Sequence, residues 1–148
     1  MGLFDKLLGG QGSEAAELDP REAFSAVMLV TVAADGHISD EEAETVINVS
    51  NRMALFKNQT ANDFNQMMNK LIGLLKKHGP DTLLQRAFAG LPKELRETAF
   101  AVAADLVFAD GSVESDEKEL LETIQRAMGI SDDLALKILE VLVIKNRG

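Results

Sequence analysis

The chain has 148 residues, 46% of them hydrophobic, which is enough for one domain whose core needs no disulfide or structural metal. The absence of cysteine excludes disulfides, zinc fingers and thiol nucleophiles, and it fits a cytoplasmic protein. A net charge of −9, with no Tyr or Trp, argues against a nucleic-acid-binding protein, because phosphate contacts require surplus Lys and Arg.

The chain begins with a short apolar segment followed by a Gly-rich linker. The opening MGLFDKLLGG places its apolar residues on one side of one or two helical turns. This apolar run is too short for a signal peptide or a membrane span, so we expect no stable membrane insertion. We predict that residues 1–18 form a flexible N-terminal segment, either disordered or docked, and that residues 19–148 form the domain.

The rest of the chain shows the apolar spacing of helices and no alternating strand pattern. The run Asp19-Pro20-Arg21-Glu22 is typical of a helix start, with an N-cap acid, then Pro, then Glu. Residues 23–34 are apolar nearly all round, as expected of a helix at the centre of the core. Ser39 and Glu42 form a capping-box pattern that opens a second helix, which we expect to run to about Leu55.

Five further helices are predicted downstream, separated by Gly, Pro and N-cap residues. The pair Gly79-Pro80 separates the first two of these, and Gly129 ends the fourth. We therefore predict an all-α protein of about seven helices, arranged as two pseudo-symmetric helical halves of one domain. The approximate spans of these five helices are 61–78, 81–89, 92–108, 115–128 and 132–144.

The pseudo-symmetry is predicted from a nine-residue stretch that occurs twice. Residues 34–42, ADGHISDEE, correspond to residues 109–117, ADGSVESDE, at a constant offset of 75. Without any insertion, the segment from about residue 24 to residue 55 corresponds to the segment from about residue 99 to residue 130. Each copy is interpreted as an apolar helix, an Asp-Gly break and an amphipathic helix that opens with acidic residues.

Negative charge is concentrated in these two copies. Residues 22–51 contain no Lys or Arg, and residues 105–122 contain seven acids and one base. Like charges gathered in this way repel one another and destabilise the fold unless something offsets them. A bound cation or a basic partner would do so, whereas a solvated acidic face is the purely structural alternative.

Each acidic turn looks like the second half of an EF-hand calcium loop, in which Asp-Gly is followed by a hydrophobic residue and a bidentate Glu. Asp35 and Glu42 hold these places in the first copy, and Asp110 and Glu117 hold them in the second. The first half of the loop lacks ligating side chains in both copies, so a complete EF-hand is excluded. Carbonyls and water could complete each site, or both turns could contribute to a shared one.

Turn and capping chemistry offers an explanation of the same residues without a ligand. Asp-Gly favours a turn, Glu42 suits a capping box, and acids in the first helical turn suit the helix dipole. This explanation covers the first copy well. In the second copy Glu114 replaces Ser39, so we expect a degraded capping box there and a separate reason for Glu117.

No catalytic set is apparent in the sequence. With two distant histidines and no cysteine, the chain offers no nucleophile–base pair and no histidine-rich metal centre. It also lacks a Walker loop and a dinucleotide-binding fingerprint. We therefore expect no enzymatic activity and no organic cofactor.

The two acidic turns and the helices around them resemble the TerB family of tellurite-resistance proteins. The resemblance covers about residues 21–142. The best-matching run is FADGSVESDEK, residues 108–118, and the MGLFDKLLG start is also similar to the family's opening. The resemblance implies an all-helical domain that binds a divalent cation such as Ca²⁺ through its acidic residues. It also implies membership of a stress-resistance complex at the inner face of the bacterial membrane.

The resemblance extends to particular acidic residues. In family members the first turn is spaced slightly differently, which leaves Glu41 and Glu42 as alternatives for one position. The positions that match the family's acidic motif, and hence the predicted metal ligands, are Asp35, Glu41, Glu42, Asp110, Asp116 and Glu117.

Two functional hypotheses follow. The first is a non-enzymatic TerB-like domain that binds a divalent metal through its paired Asp-Gly turns and docks protein partners in a tellurite- or stress-resistance complex. Its expected location is the cytoplasm, with a peripheral position at the inner membrane implied by the family. The alternative is a metal-free acidic module that binds a basic protein partner.

Overall fold

The computed structural model describes residues 18–33, 39–109 and 113–147, and this part of the chain is all-helical, without strands. The predicted N-terminal segment, residues 1–18, lies outside the described residues except for Leu18. The all-α prediction is confirmed. The described residues form six α-helices and a 3₁₀ helix, Ala54–Phe56; the α-helices are α1 (Pro20–Ala33), α2 (Asp40–Asn51), α3 (Ala61–Gly90), α4 (Lys93–Phe108), α5 (Ser115–Ala127) and α6 (Asp132–Lys145).

The described residues thus contain six α-helices where the sequence predicts about seven. The difference lies at Gly79-Pro80, where the two predicted helices are joined end to end and counted as one element, α3. Gly79 has φ 84° and ψ 167°, a non-helical backbone conformation that only glycine adopts readily. The predicted break is therefore present at Gly79, between two helical segments that meet at a kink.

The predicted end of the second helix near Leu55 is wrong, because α2 ends at Asn51. The chain then enters the 3₁₀ helix, whose last residue, Phe56, is buried. The rings of Phe24 and Phe56 meet edge to face, with centroids 6.0 Å apart and planes at 63°. Reaching this contact requires the chain to leave the α-helical path before Leu55.

Helix α1 is the centre of the core, as its apolar composition predicts. At its start the N–H of Glu22 donates to Asp19 Oδ1 at 2.8 Å, and the N–H of Asp19 donates to Glu22 Oε1 at 3.0 Å. Every residue from Ala23 to Val30 is buried. α1 packs mainly against α3 and α4, and it also contacts α2, α5 and the 3₁₀ helix.

Helix α4 is the counterpart of α1 in the second copy of the repeat, but it is buried on one side only. Its opposite side meets α6, the last helix. There Asp105 Oδ1 accepts a hydrogen bond from Asn146 Nδ2 at 2.9 Å and pairs with Lys145 Nζ at 3.2 Å. The buried residues of α4 are Ala99, Phe100, Ala103, Ala104 and Val107.

The starts of the two helices that follow the acidic turns obey the offset of the sequence repeat. Helices α2 and α5 begin at Asp40 and Ser115, which are 75 positions apart. Helix α5 ends at Ala127, and Gly129, the predicted helix stop, lies just beyond the C-cap residue with φ 68°, where the N–H of Ile130 donates to the Gln125 carbonyl at 3.0 Å. None of the helices in the described ranges is long and apolar enough to cross a membrane.

Candidate metal centre

The two acidic turns connect α1 to α2 and α4 to α5. Asp35 and Asp110, two of the predicted metal ligands, lie outside the described residues, as do the glycines that follow them. The structure therefore places the other four predicted ligands, which are Glu41, Glu42, Asp116 and Glu117.

Glu42 and Glu117, which hold corresponding positions in the two copies, line the same pocket, of about 230 Å³. The pocket lies where the last turns of α1 and α4 meet the first turns of α2 and α5. It therefore receives one carboxylate from each copy of the repeat. Its other lining residues are Thr31, Val32, Leu106 and Val107.

The remaining two described candidates lie apart from this pocket. Glu41 and Asp116 are exposed, and neither lines the pocket, whereas Glu42 and Glu117 are half-buried in it. Of the two residues that the resemblance left as alternatives, Glu42 is thus the one that lies near the second copy.

Both pocket carboxylates also cap their helices. Glu42 Oε1 accepts the N–H of Ser39 at 2.9 Å, and Glu117 Oε1 accepts the N–H of Glu114 at 3.0 Å. The expectation that the second capping box is degraded is therefore wrong for this half of the box. The reason is that the donor is a backbone N–H, which the N-cap residue supplies whatever its side chain is.

Capping accounts for one oxygen of each glutamate and leaves the pocket itself unexplained. The cap uses Oε1, and each carboxylate has a second oxygen with its own lone pairs. Two carboxylates at one pocket repel each other, the more so because part of the wall is apolar. The C-terminal turns of α1 and α4 add backbone carbonyls, while the positive dipole ends of α2 and α5 at the same pocket oppose the negative ends of α1 and α4. The two carboxylates and these carbonyls are oxygen groups of the kind that a divalent cation binds.

The pocket residues supply only part of what a divalent cation requires. Ca²⁺ takes about 6–8 oxygen ligands, and the pocket contains two carboxylates and one hydroxyl, that of Thr31. The Thr31 hydroxyl donates to the Val27 carbonyl at 2.8 Å, so its oxygen keeps acceptor capacity. Within the described ranges, no group of three or more Asp, Glu, His or Cys side chains is placed to hold a metal. A complete site would therefore need Asp35, Asp110, backbone carbonyls or water.

A second polar pocket, of about 340 Å³, lies where the starts of α1 and α3 meet, and no sequence motif predicts it. Its three acids all have partners within the chain. Glu22 pairs with Lys70 Nζ at 2.7 Å and exchanges hydrogen bonds with Asp19, while Asp63 accepts the N–H of Thr60 at 3.2 Å. The N-cap patterns were visible in the sequence, but their proximity depends on helix packing.

No family model matches the chain, and no curated protein or solved structure matches it either. The TerB-like resemblance thus depends on the sequence features already quoted.

Proposed function

We propose that the chain is a non-enzymatic TerB-like domain, built from two pseudo-symmetric halves, that binds one divalent cation between its two acidic turns. The observation that carries this proposal is that Glu42 and Glu117 line one pocket. Two separate capping boxes would explain the repeated sequence by local structure alone. Capping gives no reason for the two glutamates to converge, whereas a shared cation does.

Within this proposal the residues divide the work of binding. Glu42 and Glu117 would offer carboxylate oxygens from the two halves, and Asp35 and Asp110 are the further ligands that the resemblance implies. A divalent ion would offset the repulsion between these acids and so link the α1–α2 half to the α4–α5 half. Cation binding would then stabilise the native arrangement of the two halves.

We further propose that the acidic surface around the turns docks protein partners in a stress-resistance complex, in the cytoplasm or at the inner face of the membrane. The support is the concentration of acids in residues 22–51 and 105–122, together with the exposure of Glu41 and Asp116. Because these two acids lie outside the pocket, they would remain available to a basic partner when the pocket holds an ion.

Isothermal titration calorimetry of the full chain with Ca²⁺, Mg²⁺ and Mn²⁺ tests the metal proposal. A shared site predicts one ion per chain, whereas two independent turns would bind two. Replacing Asp35 and Asp110 with Asn should abolish binding while helicity, followed by circular dichroism, is retained. A matched control replaces Asp81 and Asp133, two exposed acids outside the turns, with Asn and should leave binding intact. The absence of both heat and a thermal shift at millimolar ion would refute the metal role.

The metal-free alternative is favoured by one specific observation, which is that both pocket glutamates already serve as caps. In that case the acidic surface alone would bind a basic partner. Partner binding would then weaken as salt is raised and would be unchanged by a chelator. Loss of partner binding on adding a chelator at constant ionic strength would favour the cation-dependent function instead.

A further inference from the structure

Two exposed aliphatic side chains of α6 lie next to each other on one side of the helix. Leu136 is 58% exposed and Val143 is 42% exposed, and at about 100° per residue they lie about 20° apart around the helix axis. Leu139, which is partly buried against the core, lies between them along the helix and within about 60° of both. These three residues form one apolar surface, the Leu136 patch. Their spacing is typical of a helix side that packs against another apolar element.

The other exposed aliphatic side chains of α6 are separate from the Leu136 patch. Val141 and Ile144 are each 63% exposed. On the helix surface Asp133 and Glu140 lie between these two side chains and the patch. Val141 and Ile144 are therefore a comparison pair, at least as exposed as the patch residues but outside the patch.

Leu18, the first described residue, is buried near the connection between α5 and α6. It packs against Gly90 at the end of α3. The ring of Phe88, in the same last turn of α3, lies beside Gly129. Gly129 belongs to the connection between α5 and α6. Residues 1–17 are thus joined to the domain close to the start of α6.

The Leu136 patch lies on the side of α6 that is next to the end of α5. Gln125 of α5 donates a hydrogen bond from Nε2 to Asp132 Oδ1 at 2.7 Å. Asp132 is about 40° from Leu136 and about 20° from Val143 around the helix axis, so all three share this side of α6. A segment attached at Leu18 therefore has a short path to the patch.

We propose that residues 3–8 of the chain itself bind the Leu136 patch. Residues 9–17 connect this segment to Leu18, and nine residues span up to about 30 Å. Helix α6 has 14 residues and is about 21 Å long, so the connection is long enough to place the segment along it. The segment offers four large apolar side chains at helical spacing, which are Leu3, Phe4, Leu7 and Leu8.

The effective concentration favours a segment of the same chain over a second molecule. The two exposed side chains of the patch offer far less than the area of about 800 Å² that each partner buries in a stable complex, so the contact is weak. Through a short linker the segment is present at a local concentration in roughly the millimolar range. A second copy at micromolar concentration is about a thousandfold more dilute. A contact with a Kd on the order of 1 mM would therefore form within one chain and not between chains.

Charge does not oppose this contact. The whole chain has a net charge of −9, but residues 1–10 contain one acid and one base, Asp5 and Lys6. Residues 132–147 contain three acids and three bases. The segment and α6 can thus approach each other without the repulsion that the acidic turns would cause.

Paramagnetic relaxation enhancement in the full chain tests this proposal. Because the sequence has no cysteine, Asp5→Cys provides a single attachment point for a nitroxide at a polar position of the segment. The nitroxide should broaden the amide signals of Leu136 and Val143. The measurement is made in EDTA, so its outcome does not depend on the proposed cation site.

Paired variants separate binding at the patch from mere proximity of the segment. Leu136→Ser with Val143→Ser should reduce the broadening of α6 at least severalfold. The matched control, Val141→Ser with Ile144→Ser, removes equally exposed aliphatic side chains outside the patch and should leave the broadening unchanged. All four side chains are exposed, so both variants should stay folded.

A mixed sample distinguishes the segment of the same chain from that of a second copy. It contains isotope-labelled chain without the nitroxide and unlabelled chain that carries it, and at micromolar concentration we expect no broadening. Three results would overturn the proposal: sharp signals throughout α6 in the nitroxide-carrying chain, equal reductions by the two Ser pairs, or equal broadening in the mixed sample. The last result would assign the patch to a second copy instead.

Discussion

Helices α1 and α4 come from corresponding stretches of the repeat, yet the two helices are packed differently. Every residue of α1 from Ala23 to Val30 is buried, whereas α4 buries one side and offers the other to α6. Buried Val30 corresponds to Asp105, which pairs with Lys145. The sequence differences between these two helices therefore follow the different neighbours that each one meets.

The acidic turns behave differently from the helices. Glu42 and Glu117 cap their helices in the same way, with the same carboxylate oxygen, and both line the shared pocket. Packing thus explains where the two copies diverge. It does not explain why they agree at these two glutamates, and this is the reason for proposing a common function there.

The largest predicted effect is a difference in the free energy of unfolding between variants at two matched valines, one in α1 and one in α4. Val27 in α1 is fully buried, and Val102, its counterpart in α4, is half-buried. Val27→Ala should lower the free energy of unfolding by about 2–3 kcal/mol, because it removes buried methyl groups and leaves a cavity. Val102→Ala should cost about 1 kcal/mol or less, since part of the site is open to water.

Urea denaturation followed by circular dichroism measures both valine variants. Equal losses would contradict the view that α1 is the more enclosed of the two helices.

The next effect concerns the close approach of α3 to the start of α1. A Cβ at Gly90 would clash with the Leu18 carbonyl oxygen and press on the Cβ of Ala23, so Gly90→Ala should cost about 1–3 kcal/mol. Gly73 lies on the same helix with open space around it, and Gly73→Ala should stabilise by about 0.5–1 kcal/mol. Thermal unfolding of the two variants should therefore shift in opposite directions. A stabilised Gly90→Ala variant would show that the chain near Leu18 is not packed as tightly as the structure indicates.

A smaller effect is expected where α4 meets α6. Asp105→Val places in α4 the residue that α1 has at the corresponding position, and it removes the partner of Lys145 and Asn146. The expected loss is about 1 kcal/mol, because the pair is partly exposed and screened by solvent. Faster hydrogen exchange of the amides in the last turns of α6 would reveal this loss of stability.

Glu122→Ala is the matched control for this change. It breaks the pair with Arg126, whose charged atoms are 3.9 Å apart and mostly exposed, and its effect should be close to zero. If Asp105→Val and Glu122→Ala have the same effect, Asp105 does not hold α6 against α4.

Local signals explain how much of the fold could be predicted from the sequence. The helix starts at Asp19, Ser39 and Ser131 were predicted because each cap is made within three residues of chain. The break at Gly79 was predicted because Gly followed by Pro is a local signal that ends a helix. The end of α2 was misplaced because the contact between Phe24 and Phe56 joins distant parts of the chain.

The candidate metal site could be predicted from the sequence only in part. The repeat identified Glu42 and Glu117 as equivalent, but their meeting at one pocket depends on how α1 and α4 pack, which spacing does not reveal. The exposed aliphatic side chains of α6 were missed for a related reason. Asp133, Lys137 and Glu140 mark the side of α6 that faces water, but this stripe does not reveal that Val141 and Ile144 beside it are exposed as well.

The shared role of the two glutamates is tested most directly by the double variant Glu42→Gln, Glu117→Gln, with thermal unfolding followed at increasing Ca²⁺. Glutamine can accept the N-cap N–H as glutamate does, so both caps remain while the pocket loses its charge. The matched control is Glu44→Gln with Glu119→Gln, exposed acids at corresponding positions outside the pocket.

We expect the original chain and the control to gain about 1.4 kcal/mol at a Ca²⁺ concentration ten times the dissociation constant, a rise in Tm of about 3–6 °C. The double variant should stay folded, with an unchanged or higher Tm in the absence of Ca²⁺, and show no rise when the ion is added. A Ca²⁺-dependent rise of equal size in the double variant, or none in the original chain, would contradict a cation site shared by Glu42 and Glu117.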